Sequence, residues 1–210
     1  MVLYISIISL AIILLFSISV LANITAYSVL ATLILILGAV VAVIAVDGLF
    51  AYIVHKMPES WFSIDKKFYS VSNGERKFYE KIQIKKWKDK ILELGGLGGF
   101  SKKNIQSNPN KVYFERFLIE SNKGVITHII GAFAGFMIIL FFPTNCILYI
   151  TLPVAIINFF MNLPSLFILR YNTPKLMVCY KRMARNEKTQ VKTTTIQTNE
   201  DAILASEENK

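Results

Sequence analysis

The stretch from Met1 to Val46 contains no Asp, Glu, Lys or Arg. A soluble domain needs charged side chains on its surface, so an uncharged stretch of this length is typical of helices in a bilayer. The whole chain agrees, because its mean hydropathy is +0.49 and 54% of its residues are hydrophobic. A helix of about 20 apolar residues crosses the membrane core. The sequence therefore predicts an all-α, multi-pass membrane protein.

Four apolar segments are long enough to cross a membrane, namely 2–23, 27–54, 124–142 and 146–169. Short turns at 23–26 and 143–145 join them into two hairpins. The sequence predicts four parts. They are an N-terminal transmembrane hairpin (1–55), a basic cytoplasmic interfacial segment (56–123), a C-terminal transmembrane hairpin (124–176), and a basic cytoplasmic stub with a tail (177–210). The tail from Asn186 is polar and rich in Thr, Glu and Lys, which predicts disorder.

Basic residues are concentrated in two regions. Lys and Arg outnumber Asp and Glu nearly two to one between Lys56 and Lys123, and five more follow Leu169 before the tail. Both short turns lack Lys and Arg. Because cytoplasmic loops carry the excess of positive charge, four spans place both basic regions and both termini on the cytoplasmic side of the cell membrane.

The central basic segment is predicted to hold an amphipathic helix over 81–94. Its apolar residues recur at helical spacing among lysines, and they are Ile84, Trp87, Ile91 and Leu94. This pattern favours a helix lying in the membrane interface, with its tryptophan at headgroup level. A glycine run at 95–99 is expected to end the helix, and a further helix is expected to begin near Tyr113 and enter the third span.

Two ionisable residues are predicted to lie within spans. His128 is about five residues, or roughly 7.5 Å, beyond Lys123, and Asp47 is about 13 Å before Lys56 at 1.5 Å per residue. Ionisable groups at membrane depth are costly and point to a functional site, although each could instead hold two helices together. Asn162 shares a helix face with Asn158 at i, i+4 spacing, which is typical of helix–helix hydrogen bonding.

Other kinds of site find little support. Cys146 and Cys179 are expected on opposite membrane faces, so a disulfide is not expected, and no cluster has metal-ligand spacing. The glycine run at 95–99 could hold a phosphate, but it fits no dinucleotide-binding fingerprint and favours a flexible loop. No nucleic-acid-binding motif is present. We therefore expect no metal, no permanently bound cofactor and no nucleic-acid partner, and the oligomeric state stays open.

A series of short motifs follows the second span in a fixed order. It comprises Lys56–Phe62, Glu75–Lys81, Ile84–Asp89, Gly99–Lys103, Arg116–Phe117 leading to Glu120 and His128, Asn162–Pro164 and Arg170–Leu176. The series resembles the glycosyl-4,4'-diaponeurosporenoate acyltransferase family over roughly residues 47–185. The resemblance implies that the chain esterifies a glucose hydroxyl of a glycosylated carotenoid, or of a related glycolipid, with a fatty acyl group.

The resemblance also implies a co-substrate, partners and site residues. The co-substrate would be acyl-CoA or another activated acyl donor, and the partners would be membrane lipid and an amphiphilic small-molecule substrate. His128 would act as general base, a role that suits its near-neutral pKa, with Glu120 and Asp47 as further catalytic candidates. The substrate-binding candidates are Trp87, Lys88, Lys102, Lys103, Asn162, Arg170, Tyr171 and Asn172. Among these, the cations would hold donor phosphates or a developing oxyanion.

One departure from the family pattern has a physical consequence. Family members carry a second carboxylate three residues before the histidine, where this chain has Val125. Glu120 is eight residues from His128, about 12 Å along a regular helix, which is too far for a hydrogen bond. Any carboxylate that orients His128 must therefore come from elsewhere in the chain, and Asp47 is one candidate.

A non-enzymatic role is the alternative interpretation. In this case the protein would be a membrane subunit or a lipid-binding partner, its basic loop would bind anionic lipid or a cytoplasmic protein, and His128 would be a packing residue. The absent carboxylate at Val125 favours this alternative somewhat. A structure distinguishes the two, because an acyltransferase requires a lipid-accessible cavity that reaches His128.

Overall fold

The computed structural model describes residues 2–22, 27–91, 106–107 and 109–208, with side chains given for 4–22, 27–91, 106–107 and 109–190. Within these ranges the chain is helical and has no strand. The six α-helices are α1 Val2–Leu21, α2 Val29–Lys56, α3 Asn73–Lys81, α4 Ile84–Trp87, α5 Lys111–Ala134 and α6 Leu152–Glu208. Short 3₁₀-helices lie at Glu59–Phe62, Lys67–Tyr69, Lys88–Lys90, Gly135–Phe141 and Thr144–Cys146, and a π-helix at Ile147–Thr151.

Four helical stretches are long and apolar enough to cross a membrane, which confirms the predicted all-α, multi-pass class. They are Tyr4–Leu21, Val29–Lys56, Lys111–Phe141 and Thr144–Gln190. At the ends away from the basic segment, the Tyr27 hydroxyl donates to Asn145 Oδ1 at 2.9 Å and ties the two hairpins together. The turn predicted at 23–26 lies outside the described residues.

Helix α5 is one continuous element from the basic segment into the third span. Asn110 caps it, since its side-chain oxygen accepts a hydrogen bond from Tyr113 N at 2.8 Å. The boundary predicted at 123/124 therefore falls inside a helix. As a result, Glu120 and His128 lie on one continuous helix, at the separation along the axis that the sequence predicted.

Helix α6 extends from Leu152 to Glu208 and contains Pro164 and Pro174. Each proline lacks the N–H that would bond the carbonyl one turn earlier, but packing in the bundle allows the helix to continue past it. The prediction of disorder from Asn186 is wrong for the backbone, which is helical to Glu208. The physical reason is that no Gly or Pro follows Pro174, so nothing stops the helix from propagating.

Helices α5 and α6 form the most extensive pair in the bundle, and α2 packs against both. Their shared core is apolar and consists of Ile36, Ala39, Val43, Ile138, Cys146, Ile150, Val154 and Ala155. Helix α1 packs against the edge of this core through Ile12, Leu15 and Phe16, but only 6% of its spanning window is buried. Because α1 is packed loosely, space remains between α1 and the other three helices.

The segment after α2 packs tightly against one end of the bundle. We call residues 57–91 the cytoplasmic segment, and the end of the bundle that they cover the cytoplasmic end, after the side of the membrane predicted from the basic residues. Phe62 is 1% exposed and packs with Val54 and Tyr69. Asn122 on α5 is buried, and its Nδ2 donates to the Phe62 carbonyl at 2.9 Å. The Tyr69 hydroxyl donates to the Trp61 carbonyl at 3.1 Å. The segment is therefore folded protein structure rather than a linker.

Over the described residues 81–91, the single amphipathic helix predicted for 81–94 is divided into shorter helical elements. Ser72 caps α3 by accepting from Glu75 N at 3.1 Å, which is the start of a capping box, and the helix ends at Lys81. Gln83 then adopts a left-handed conformation with φ of 52°. Ile84 is 1% exposed, so it packs into the protein instead of facing lipid. Leu94 and the glycine run at 95–99 lie outside the described residues.

Candidate functional site

A cavity of about 910 Å³ lies between α1, α2, α5 and α6 and reaches the cytoplasmic segment. This is within the range of about 300–1,000 Å³ typical of small-molecule sites. At the cytoplasmic end it is lined by polar and aromatic residues that include Tyr52, His55, Lys88, Asp89, Ser121 and Asn172. At the other end it is lined by apolar residues that include Ile8, Ile12, Leu15, Val40, Ile44 and Val154.

His128, Asn162 and Asp47 form a chain of hydrogen bonds in the wall of this cavity. His128 Nδ1 lies 2.9 Å from Asn162 Oδ1. Asn162 Nδ2 donates to Asp47 Oδ2 at 3.1 Å. The carboxylate that the sequence required from another helix is therefore Asp47 on α2, and it reaches the imidazole through an amide on α6.

Asn158 supports the same carboxylate from one turn earlier on α6. Its Nδ2 donates to Asp47 Oδ1 at 3.3 Å and to the Gly131 carbonyl at 3.2 Å. Two glycines of α5 make room for these groups. A Cβ at Gly131 would lie 3.1 Å from Asp47 Oδ1, and one at Gly135 would lie 2.5 Å from Asn158 Nδ2. The close approach of α5 to α2 and α6 therefore depends on glycine at both positions.

The neighbours of Asn162 determine its amide orientation and with it the tautomer of His128. Asn162 Nδ2 also faces the Asn158 backbone carbonyl at 3.1 Å, which can only accept a hydrogen bond. Asn162 Oδ1 therefore faces the imidazole and accepts from Nδ1–H. The proton of a neutral imidazole then lies on Nδ1, and the basic lone pair lies on Nε2.

Glu120 belongs to a different cluster, nearer the cytoplasmic end. It pairs with Lys123 at 2.9 Å and lies 3.9 Å from His55 Nε2. The Lys123 side chain is only 7% exposed and also lies 3.6 Å from Glu59. The structure thus places Glu120 beside His55 and Lys123 and not beside His128.

The Arg170 guanidinium is directed at the cytoplasmic segment rather than into the cavity. It forms a bidentate pair with Glu75 and donates to the carbonyls of Phe68 and Ser70 at 3.2 and 3.0 Å. Tyr79 also donates to the Glu75 carboxylate. Burial raises the pKa of Glu75, but the bonds from Arg170 and Tyr79 outweigh burial and leave this pKa below its usual value. Burial, and then the bond to Glu75, raises the pKa of the Tyr79 hydroxyl.

The remaining substrate-binding candidates have separate locations. Lys88 and Asn172 line the cavity near its cytoplasmic end. Trp87 Nε1 donates to the Ile82 carbonyl at 3.0 Å, and the Tyr171 ring packs under the Lys175 ammonium at 4.1 Å. Lys102 and Lys103 lie outside the described residues.

Two lining residues were not identified from the sequence. His55 directly follows the predicted second span, where polar residues are common, yet it lines the cavity and lies near Glu120. Thr127 lines the cavity beside His128, and its hydroxyl is buried with no hydrogen-bond partner among the described residues. Its position next to an intramembrane histidine was the signal available. Where side chains are described, no three His, Cys, Asp or Glu residues are grouped as metal ligands.

Comparison with known proteins adds a family to this geometry. The family model for glycosyl-4,4'-diaponeurosporenoate acyltransferase matches residues 58–182. The match includes His128, Asn162 and Arg170, whereas α1 and Asp47 lie before it. Neither the search of curated proteins nor the search of solved structures found a match. Because the match extends over more than half of the chain, the chain belongs to the glycosyl-4,4'-diaponeurosporenoate acyltransferase family and is a membrane acyltransferase.

Proposed function

We propose that this chain transfers a fatty acyl group from an acyl-CoA or similar activated donor to a sugar hydroxyl of a glycosylated carotenoid or related glycolipid. The hydrogen-bonded chain from Asp47 through Asn162 to His128, in the wall of an open cavity, carries the proposal. A base and an accessible cavity are what an acyl transfer between amphiphiles requires. The non-enzymatic alternative requires a closely packed histidine, which is not the observed arrangement.

In the proposed reaction His128 Nε2 removes the proton from the acceptor hydroxyl as its oxygen attacks the thioester carbonyl. The tetrahedral intermediate then collapses, the new ester C–O bond remains, and the C–S bond breaks. The imidazolium returns its proton to the leaving thiolate. Asn162 holds Nδ1–H throughout, as the asparagine does in Cys-His-Asn sites, and Asp47 holds the amide.

The polar end of the cavity suits the sugar and the thioester. The Lys88 side chain lines this end and is 29% exposed, and its ammonium lies 3.5 Å from the exposed Asp89 carboxylate. An exposed ion pair of this kind is weak, so a donor phosphate can replace Asp89 as its partner. The proposed cytoplasmic position of this end matches the arrival of a water-soluble donor. The same orientation places both termini in the cytoplasm of a cell-membrane protein, and reporter fusions at each terminus test it. An extracellular signal from either fusion would contradict it.

Replacement of His128 tests the proposed base. We expect His128→Ala to reduce acyl transfer to a glycosyl-4,4'-diaponeurosporenoate acceptor by about 100-fold or more, as for other general bases. His55→Ala is the matched control, because it removes the other histidine at the cavity and leaves Asn162 and Asp47 in place. We expect it to retain most activity. Full activity in a correctly inserted His128→Ala protein would rule out the assignment.

A further inference from the structure

The cavity divides at the level of His128. Asp47, Asn162 and His128 are bonded to one another and therefore lie at one height in the bundle. Beyond that height, away from the cytoplasmic segment, the lining residues that the structure describes on α2 and α6 are apolar up to Val40 and Val154, apart from Asn158. The Asn158 amide is bonded to Asp47 and to the Gly131 carbonyl. This half of the cavity is called the apolar chamber below.

The apolar chamber has a measurable depth and a closed floor. Val40 lies seven residues beyond Asp47, and Val154 lies eight residues beyond Asn162. At 1.5 Å per residue the floor is therefore about 10–12 Å from the catalytic level. Val154 is 3% exposed and packs with Val43 in the bundle core, which closes that end.

Helix α1 forms the remaining wall of the apolar chamber, through Ile8, Ile12 and Leu15. Its first turns are attached to α6 by the Tyr4 hydroxyl, which lies 3.3 Å from Ser165 Oγ and 3.4 Å from the Met161 carbonyl. The next residue along, Ile13, is 59% exposed on the outside of the bundle. One face of α1 thus lines the chamber while the adjacent face meets lipid.

We infer that the apolar chamber holds the acyl chain of the donor and that its floor and α1 wall set which chain lengths are transferred. This inference rests on the proposed function. The acyl chain is bonded directly to the carbonyl that must sit beside His128 Nε2, so it can extend from there into the chamber. The polyene of the acceptor is separated from the reacting hydroxyl by a sugar, and a rigid polyene is far longer than the chamber. Burial of methylene groups against apolar walls supplies the binding free energy.

This geometry assigns the catalytic base and the selection of chain length to different parts of the chain. Residues 58–182, which match the family, supply the base and its amide. The α1 wall and Val40 lie before that match, so chain-length selection depends on a part of the protein outside the matched region.

Ile12→Trp fills the chamber from the α1 side, and Ile13→Trp is the matched control on the lipid-facing side of the same turn. The measurement is the transfer rate with octanoyl-, dodecanoyl- and hexadecanoyl-CoA to one acceptor. We expect Ile12→Trp to lower the hexadecanoyl-to-octanoyl rate ratio by about tenfold or more, a typical effect of altering a hydrophobic pocket. Ile13→Trp should keep the wild-type ratio, and Val154→Ala should raise it by deepening the floor. An unchanged ratio in both Ile12→Trp and Val154→Ala would overturn the inference.

A binding experiment separates this inference from the assignment of the base. A fluorescent fatty acid should bind the His128→Ala protein. Adding Ile12→Trp to that variant should raise the Kd of the fatty acid about tenfold, whereas adding Ile13→Trp should leave the Kd unchanged. Equal binding in both double variants would overturn the chamber even if His128 proves to be the base. Conversely, a normal difference in binding together with full activity of His128→Ala would overturn only the base. If a polyene-bearing acceptor displaces the fluorescent probe as well as an unlabelled fatty acid does, the chamber holds the acceptor and the inference is wrong.

Discussion

Two polar clusters of this protein join a basic group to a carboxylate, and they differ in what surrounds them. The membrane cluster of His128, Asn162 and Asp47 lies in the wall of a cavity. The cytoplasmic cluster of Arg170 and Glu75 is closed by two backbone carbonyls and is not among the residues described as lining the cavity. The first cluster borders the cavity, whereas the second has its donors engaged within the protein.

The comparison indicates that charged residues of the family motifs can have different structural settings. Arg170 was a candidate for binding phosphate or an oxyanion. Its guanidinium instead attaches the segment around Phe68 and Ser70 to α6, so we expect it to position the cytoplasmic wall of the site. The comparison therefore predicts that changes in the membrane cluster lower activity, and that changes in the cytoplasmic cluster lower stability.

The largest effect is expected from Asn162→Leu. The variant removes the acceptor of His128 Nδ1–H, so the imidazole loses its fixed tautomer, and kcat should fall about 100-fold with little change in KM. Asn158→Leu is the matched control, since Asn158 lies one turn from Asn162 on the same helix and bonds Asp47 and the Gly131 carbonyl. Its activity should stay within about tenfold of wild type. Equal losses in the two variants would show that the amides act on packing alone.

A smaller loss is expected from Asp47→Asn, which keeps the shape of the side chain and removes its charge. Asn162 would then be held less firmly, and kcat should fall about tenfold, equivalent to roughly 1.4 kcal/mol. Steady-state acyl transfer measures it, with Asp65→Asn as the control because Asp65 is exposed and outside the spans. If Asp47→Asn retains wild-type kcat, the carboxylate does not contribute to orienting the base.

In the cytoplasmic cluster, Glu75→Gln should lower stability rather than turnover. Loss of a charge-assisted bidentate pair should destabilise the protein by about 2 kcal/mol, while transfer per folded molecule remains close to wild type. Unfolding in detergent measures the first and a transfer assay the second. Glu80→Gln, an exposed site on the same helix, is the control. A large loss of kcat without loss of stability would place Arg170 and Glu75 in catalysis after all.

The lowered pKa of Glu75 gives the same cluster a pH dependence. A carboxyl whose pKa is depressed by folding contributes stability that is present above its ordinary pKa of 4.5 and is lost as the pH falls through the folded value. Wild-type stability should therefore decrease on acidification, and Glu75→Gln should flatten this decrease. Unfolding midpoints measured from neutral pH to below that ordinary pKa test the difference. Parallel curves for the two proteins would contradict it.

The smallest effect is expected from Thr127→Val in the absence of substrate. The Thr127 hydroxyl is buried without a hydrogen-bond partner among the described residues, so its replacement by a methyl group should be neutral or stabilising by up to about 1 kcal/mol. Thr151→Val is the comparison, because the Thr151 hydroxyl bonds the Ile147 carbonyl at 3.3 Å. Thermal unfolding should rank Thr127→Val above Thr151→Val, and the reverse order would show that the Thr127 hydroxyl has a stabilising partner.

Much of the membrane cluster was predictable from residue type and depth alone. An ionisable group in an apolar span needs a partner on another helix, and this requirement selected His128 and Asp47. The spacing of Glu120 excluded it as the partner of His128, and the structure agrees. The role of Asn162 as the link was not predictable, because the rotation and height of α6 relative to α2 and α5 depend on how Gly131 and Gly135 let the helices approach.

The cytoplasmic segment was harder to predict. Its lysines and Trp87 resembled a single interfacial helix, but the left-handed Gln83 separates α3, which Ser72 caps, from the short helix α4. Local signals of that kind compete with hydrophobic periodicity over a few residues, and burial of Ile84 against the bundle decides the outcome.

The uncharged stretch from Met1 to Val46, the four spans and the segregated lysines were determined by the sequence itself, because hydrocarbon excludes charge and unpaired backbone groups whatever the helices later contact. The tertiary structure decided which polar groups meet. It brought an aspartate, an amide and a histidine from three helices to one height, directed Arg170 away from the cavity, and set α1 apart as a wall. These outcomes depend on helix rotation and close approach, which arise from packing between segments distant in the chain.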